Sequence, residues 1–385
     1  MYYVIDYTVY FIFILCFFSK SIQVKKYINN KILKNILFGV IVFIYGGAYQ
    51  FGTDWYGYIN YFNNLSSRNL EIGYKYLNII FKKFEMSYQE LQLFLVIVIL
   101  FEIFIVLNNF FKKQDFFLAL FFILNPLIYM LVNIYRQGIA ICTMWIAFYY
   151  FDIDKKKFFF LSMIAIFFHK SAIIGFLIFL LLKKIRIRVT RKLIICYIIY
   201  LIILIIFKLE IFKMIFYIIE NIKILNLGKI FILYGVQIFK NKGVSFLFII
   251  KALEFLIVLL FIYKKKIKYK YISYVITYIF LYLILMLQGN LLRIIWVFQI
   301  FYIYILIKMF KYINLNKKLV ILFYLLVFYN FSIIPHGISK KKYVYYNYYL
   351  VDKTKINNYK YIKEMWEVSK EENKELLEDN YDSKK

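Results

Sequence analysis

The sequence is poor in the residues that build metal centres, redox pairs and nucleotide loops. Its three cysteines, Cys16, Cys142 and Cys196, all lie within apolar runs and show neither metal nor disulfide spacing, so they read as plain span residues. Its two histidines, His169 and His336, form no zinc constellation with cysteine or aspartate. No Gly-rich nucleotide loop and no G-x-S-x-G elbow is present, and nothing points to ATP hydrolysis or a redox cofactor. Acidic residues are also scarce, 21 against 50 lysines and arginines, which leaves a formal net charge of +29. That excess raises nucleic acid as a partner. The basic residues, however, cluster in short loops between apolar runs, as the positive-inside rule expects, and nucleic-acid binding is set aside.

What is abundant is apolar. Of 385 residues, 64% are hydrophobic, only two are proline, and the mean hydropathy is +0.70. A soluble domain is about 45–50% apolar, so the composition describes an all-α, polytopic integral membrane protein. Apolar runs fall near 2–18, 35–50, 91–109, 116–132, 138–151, 158–168, 172–182, 193–207, 244–263, 272–287, 294–310 and 318–334. That makes about twelve transmembrane or re-entrant helices, several of them shorter than the ~20 residues of a perpendicular span. The N-terminus lacks a basic n-region and a small-residue cleavage site, so it reads as a first span rather than a cleavable signal. Basic loops such as FFKKQ, DIDKKK, KKIRIRVTRK and YKKKIKYK occur at every second connection and are expected in the cytoplasm. The connections around 51–90, Arg136, His169, 208–243 and 289–293 then face outward. Residues 158–182 are expected as a short hairpin with His169-Lys170-Ser171 at its tip; a single helix there would put two basic loops on opposite faces. Residues 1–334 form the membrane domain, with interfacial helices in its outer loops, and 335–385 a polar tail.

Arg136 is the one charged side chain between Asp115 and Asp152. A charge among spans costs roughly 2.5–3.5 kcal/mol on insertion scales and usually faces a protein interior or an anionic partner. Its planar, permanently charged fork suits phosphate oxygens; the competing reading is a tie to carbonyls or a carboxylate at a helix end. Arg293, after Gln288-Gly289-Asn290, offers a weaker version of the same chemistry or simply marks a span's start. In the first outer loop, Gly52-Thr53-Asp54 leads into Trp55, Tyr56 and Tyr58, and Glu71-Ile72-Gly73-Tyr74 follows. Carboxylates among glycines and aromatic rings suit sugar binding and proton acceptance. Alternatively, Asp54 and Glu71 cap helices and the tyrosines form an interfacial belt. After Glu71, Leu77, Ile80, Phe81 and Phe84 share one helical face with Lys75, Asn78, Lys82 and Glu85 opposite, the pattern of a helix lying on the bilayer. His169, within Phe167-Phe168-His169-Lys170-Ser171-Ala172, is a general base, a phosphate contact or a structural hydrogen-bonder.

Taken in order, the GTD run with its tyrosines, Glu71-Ile72-Gly73-Tyr74, Asn133-Ile134-Tyr135-Arg136-Gln137-Gly138-Ile139-Ala140, the Phe-His-Lys-Ser-Ala run and the late Arg293 resemble the EpsG family. These are bacterial exopolysaccharide membrane proteins allied to Wzy-type O-antigen and capsule polymerases. The resemblance runs from about residue 40 to 335. The early Asp54 in a long outer loop is also similar to the layout of C-type glycosyltransferases. The resemblance implies a polymerase that transfers a growing glycan from undecaprenyl pyrophosphate to a hydroxyl of the next lipid-linked repeat unit, at the outer face of the bacterial cytoplasmic membrane. It implies Asp54, His169 and Arg136 as catalytic residues, and Glu71, Tyr58, Gln137, Lys170 and Arg293 as substrate-binding residues. It implies no resident metal or cofactor, although pyrophosphate chemistry often uses a divalent ion. The partners implied are lipid-linked oligosaccharides, the bilayer, a flippase and a chain-length regulator. The rival readings are a flippase for lipid-linked oligosaccharide and a membrane O-acyltransferase.

Overall fold

Apolar runs punctuated by polar turns fold here into helices whose own hydrogen bonds satisfy the backbone. The computed structural model describes residues 30–51, 54–64, 71–185, 187–206, 246–267, 271–286, 289–312 and 344–348. The expected runs 2–18 and 318–334, the connection 208–243 and the tail apart from 344–348 lie outside the described residues. In chain order come α1 (Asn30–Ile41), a π turn (Val42–Gly46), β1 (Ala48–Phe51), α2 (Trp55–Asn63), α3 (Ile72–Lys83), α4 (Tyr88–Phe110) and α5 (Phe116–Val132). Next are α6 (Tyr135–Tyr150), α7 (Lys155–Phe168), α8 (Ala172–Lys184), α9 (Arg191–Ile206), α10 (Phe246–Lys264) and α11 (Ile272–Met286). A 3-10 segment (Gly289–Phe298), α12 (Gln299–Lys311) and β2 (Val344–Tyr348) complete the described elements. The described residues are all-α apart from β1 and β2, which pair antiparallel with Ala48 opposite Tyr348 and Tyr49 opposite Asn347. Two described helical stretches, Tyr88–Phe110 and Arg293–Lys311, are long and apolar enough to cross a bilayer.

The chain divides into two compact units, one of residues 1–177 with 306–365 and the other of 178–305 with 366–385. The first is built around α6. Thirteen of that helix's sixteen residues are buried, so it has no lipid-facing or solvent face and α4, α5 and α7 enclose it. α4 starts on a capping box: Ser87 Oγ accepts from the Glu90 amide while the Glu90 carboxylate accepts from the Ser87 amide. The run expected as one span over 35–50 leaves the helix at Gly46 and enters β1. Gly46 lies so close to α4 that a Cβ there would come 2.5 Å from Leu93 Cδ1. Just before the start of α5, Lys311 Nζ donates to Asp115 Oδ2 at 2.6 Å.

Residues 158–182 form two helices, as the hairpin reading expected. α7 ends at Phe168 and α8 begins at Ala172, and Phe158 stacks on Phe176 with ring centroids 5.7 Å apart as the chain folds back. α3 corrects the expected distribution of faces. Tyr74, Asn78 and Phe81 are buried against the protein, and the exposed stripe is Ile72, Tyr76, Ile79, Ile80 and Phe84 with Lys75 and Lys83 beside it. Asn78 is fully buried rather than on a polar outer face, because its amide donates to the Tyr74 carbonyl one turn back.

The second unit packs by aromatic stacking. Phe179 lies face to face with Tyr274 at 4.8 Å, and Tyr274 contacts Phe298 and Phe301. Within it Lys251 Nζ pairs with Glu254 Oε2 at 2.6 Å, and the Tyr302 hydroxyl donates to Glu254 Oε1 at 2.7 Å.

Candidate functional site

Three chain segments of the first unit meet around one guanidinium. Arg136 sits in the first turn of α6, which begins abruptly after the bend at Asn133-Ile134. Glu71 stands at the start of α3 with an extended backbone (φ −60°, ψ 140°). His169 occupies the break between α7 and α8. Gly73 allows the second and third segments to touch: a Cβ there would lie 3.1 Å from the Phe167 carbonyl oxygen and 3.3 Å from the Phe168 ring.

The Glu71 carboxylate bridges the other two groups. Its Oε2 pairs with Arg136 Nη1, and its Oε1 lies 3.8 Å from His169 Nε2. It makes no cap hydrogen bond to α3, nor does Asp54 at the start of α2, so the alternative of plain helix caps does not describe either side chain. Ser171 holds the other side of the imidazole. Its backbone N–H donates to His169 Nδ1 at 3.2 Å and its Oγ lies 2.7 Å from the same atom. Nδ1 is therefore the acceptor nitrogen, and the neutral ring carries its proton on Nε2, toward Glu71. Gln137 Nε2 donates to Ser171 Oγ at 3.4 Å, joining the α6 side of the site to the histidine turn.

Aromatic rings enclose Arg136. Its guanidinium carbon lies 5.6 Å from the Tyr58 ring, 5.9 Å from Tyr61 and 5.7 Å from Tyr74. Tyr58 and Tyr74 are buried, and Tyr58 packs edge-on to Tyr74 and tilted against Tyr135. Tyr58 and Tyr74 thus pack inside the protein around the guanidinium. Burial pushes the Tyr58 hydroxyl up to about 12, with Arg136 pulling the other way. Tyr74 is raised further, again by burial first. Both stay protonated at physiological pH. Arg136 Nε is buried and has no hydrogen-bond partner among the described residues.

Of the residues expected at the site, Arg136, Glu71, His169, Gln137 and Tyr58 come together. The Asp54 carboxylate is exposed at the start of α2, near enough for its charge to bear on Tyr58 and Tyr135. Lys170 lies exposed in the histidine turn, and Arg293 belongs to the second unit. Tyr61, Tyr74 and Ser171 are site residues that sequence reasoning did not single out. Three charges inside apolar helices were also passed over. Glu102 on α4 accepts from Thr143 Oγ1 at 2.6 Å, and Lys251 and Glu254 pair on α10. The criterion that selects Arg136, a charge within an apolar run, selects them too. Among the described residues, no three His, Cys, Asp or Glu side chains gather as a metal site requires.

No curated protein and no solved structure matches the chain. A family profile does: it covers residues 31–350, a stretch that holds every site residue named above and reaches β2, and by that match the chain belongs to the EpsG family.

Proposed function

We propose that this membrane protein is a polysaccharide polymerase. It would move a growing glycan from undecaprenyl pyrophosphate to a hydroxyl of the next lipid-linked repeat unit, in O-antigen, capsule or exopolysaccharide synthesis. Family membership supports a role in polysaccharide assembly. The observation that carries the finer reading is the meeting of Arg136, Glu71 and His169 within a wall of tyrosines. Permanent cationic charge, a carboxylate and stacking faces are what a sugar pyrophosphate needs from a protein.

In this reading the acceptor hydroxyl oxygen attacks the anomeric carbon as the bond to pyrophosphate breaks on the opposite face, which inverts the centre. Negative charge grows on the departing pyrophosphate, and Arg136 stabilises it where water is scarce. The hydroxyl proton needs an acceptor. His169 is poorly placed for that task, since its lone pair faces Ser171 and its N–H faces Glu71. Asp54, a carboxylate whose charge bears on Tyr58, is the base in this reading, and His169 serves as a donor to phosphate or sugar oxygen. Tyr58 and Gln137 orient the sugar, with Lys170 as a further phosphate contact. The pattern of loop charges supports a reaction at the outer face of the cytoplasmic membrane. A flippase would then deliver the substrate and a chain-length regulator would limit the product.

Complementation of a polymerase-deficient strain tests this. Arg136→Ala should reach the membrane at normal level and yield exported single repeat units without polymer. Normal polymer length would remove Arg136 from the mechanism. Accumulation of units on the cytoplasmic leaflet instead would make the chain a flippase.

A further inference from the structure

Arg136 keeps an unused donor beside its contacts with Glu71 and Tyr58. Glu71 engages Nη1 alone, and the buried Nε has no partner among the described residues. A guanidinium tied down for structural reasons is best satisfied by a two-pronged carboxylate, yet this carboxylate is split between the arginine and an imidazole. One oxygen takes Arg136 and the other lies 3.8 Å from the His169 nitrogen that carries the proton. Ser171 keeps that proton pointing at Glu71 by holding Nδ1 from behind. The carboxylate thus occupies the place of an anion between two converging donors. A phosphoryl group fits the same place better, because its oxygens can take the Nη1/Nη2 fork and the imidazole N–H together.

We infer that Glu71 is a resident anion, exchanged for a phosphoryl group when ligand binds. Glu71 leaves Arg136, two phosphate oxygens take Nη1 and Nη2, and a third takes the His169 N–H. The tethered carboxylate competes with every incoming anion, so the apparent affinity is the intrinsic one scaled by the fraction of time the site is open. Free phosphate and pyrophosphate are held off, and a ligand with further contacts through its sugar or lipid gets past. The nature of that ligand, a lipid-linked sugar pyrophosphate, rests on the polymerase reading. The exchange itself does not.

Purified full-length protein in detergent micelles tests the exchange by direct titration with inorganic pyrophosphate and, separately, with undecaprenyl pyrophosphate. Glu71→Gln keeps the shape and removes the charge. It should bind pyrophosphate about tenfold tighter or more than wild type, which corresponds to a wild-type site open about a tenth of the time. Adding Arg136→Ala to Glu71→Gln should abolish that gain. Unchanged or weaker binding by Glu71→Gln overturns the inference, as does a gain that persists without Arg136. Melting temperature checks that Glu71→Gln is folded. Should it not be, Glu71→Asp, shorter by one methylene, should show a smaller gain, and no gain from a folded Glu71→Asp is equally fatal. A gain seen with both ligands assigns the site to the phosphoryl group itself, and one seen only with the lipid form assigns it to a headgroup held at the bilayer. A flat response beside an Arg136→Ala strain lacking polymer sinks the exchange and leaves the polymerase. A clear gain beside an Arg136→Ala strain making full polymer does the reverse.

Discussion

Ser171 decides which nitrogen of His169 carries a proton, through one backbone and one side-chain contact two residues away. Ser171→Ala keeps the amide and loses the hydroxyl. A neutral hydrogen bond has a net worth of about 1 kcal/mol, so on the polymerase proposal the polymerisation rate should fall about fivefold rather than vanish. An in vitro assay with lipid-linked repeat units reads that rate. Arg136→Lys should do more harm despite keeping the charge. An ammonium cannot fork to two oxygens or lie flat among Tyr58, Tyr61 and Tyr74, and polymer yield should be close to that of Arg136→Ala. Arg136, Glu71 and His169 were legible in the sequence because polar chemistry stands out against apolar surroundings. Ser171 was not, since a serine beside a histidine has no periodicity to betray its bond. Nor could the sequence show that Arg136 and Glu71, sixty-five positions apart, would take each other as partners.

Helices were legible wherever an apolar run met a polar break. The turn at Asn133-Ile134, the break at His169 and the capping box before Tyr88 all coincide with such breaks. Which face of a helix is buried was harder to read, and α3 shows why. The amphipathic pattern is real, but the helix has protein on one side and an exposed apolar stripe on another, and hydropathy does not distinguish two apolar environments. Gly73 tests how tightly that helix is held. Gly73→Ala would bring a methyl group against the Phe167 backbone, which cannot rotate away as a side chain can. The expected cost is about 1–3 kcal/mol, seen as a lower melting temperature in detergent. Polymer should fall with it, because Glu71 starts the same helix.

For the molecule as a whole, sidedness is the property with most consequence and it is testable with thiol chemistry. In a version with Cys16, Cys142 and Cys196 replaced, Asn64→Cys should react with a membrane-impermeant maleimide on intact cells. Lys156→Cys should react only after permeabilisation. Both positions are exposed, so labelling depends on side alone. The polar network of the second unit makes a different kind of prediction. Removing one charge with Glu254→Leu takes the carboxylate away from Lys251 and Tyr302 and should lower the melting temperature by several degrees. Removing both, with Lys251→Met added, should restore much of it, as buried ion pairs often give way to apolar packing without loss.

The pairing of β1 with β2 joins residues nearly three hundred positions apart in the chain. Two strands that share hydrogen bonds lie on the same side of a bilayer, so the number of crossings between them must be even. Parity is a severe filter. The apolar runs between residues 51 and 344 sum to an even number when 158–168 and 172–182 count as a returning pair, and to an odd number when they are fused into one span. A hydrogen-bonded ribbon of a few residues thus constrains the threading of the whole chain.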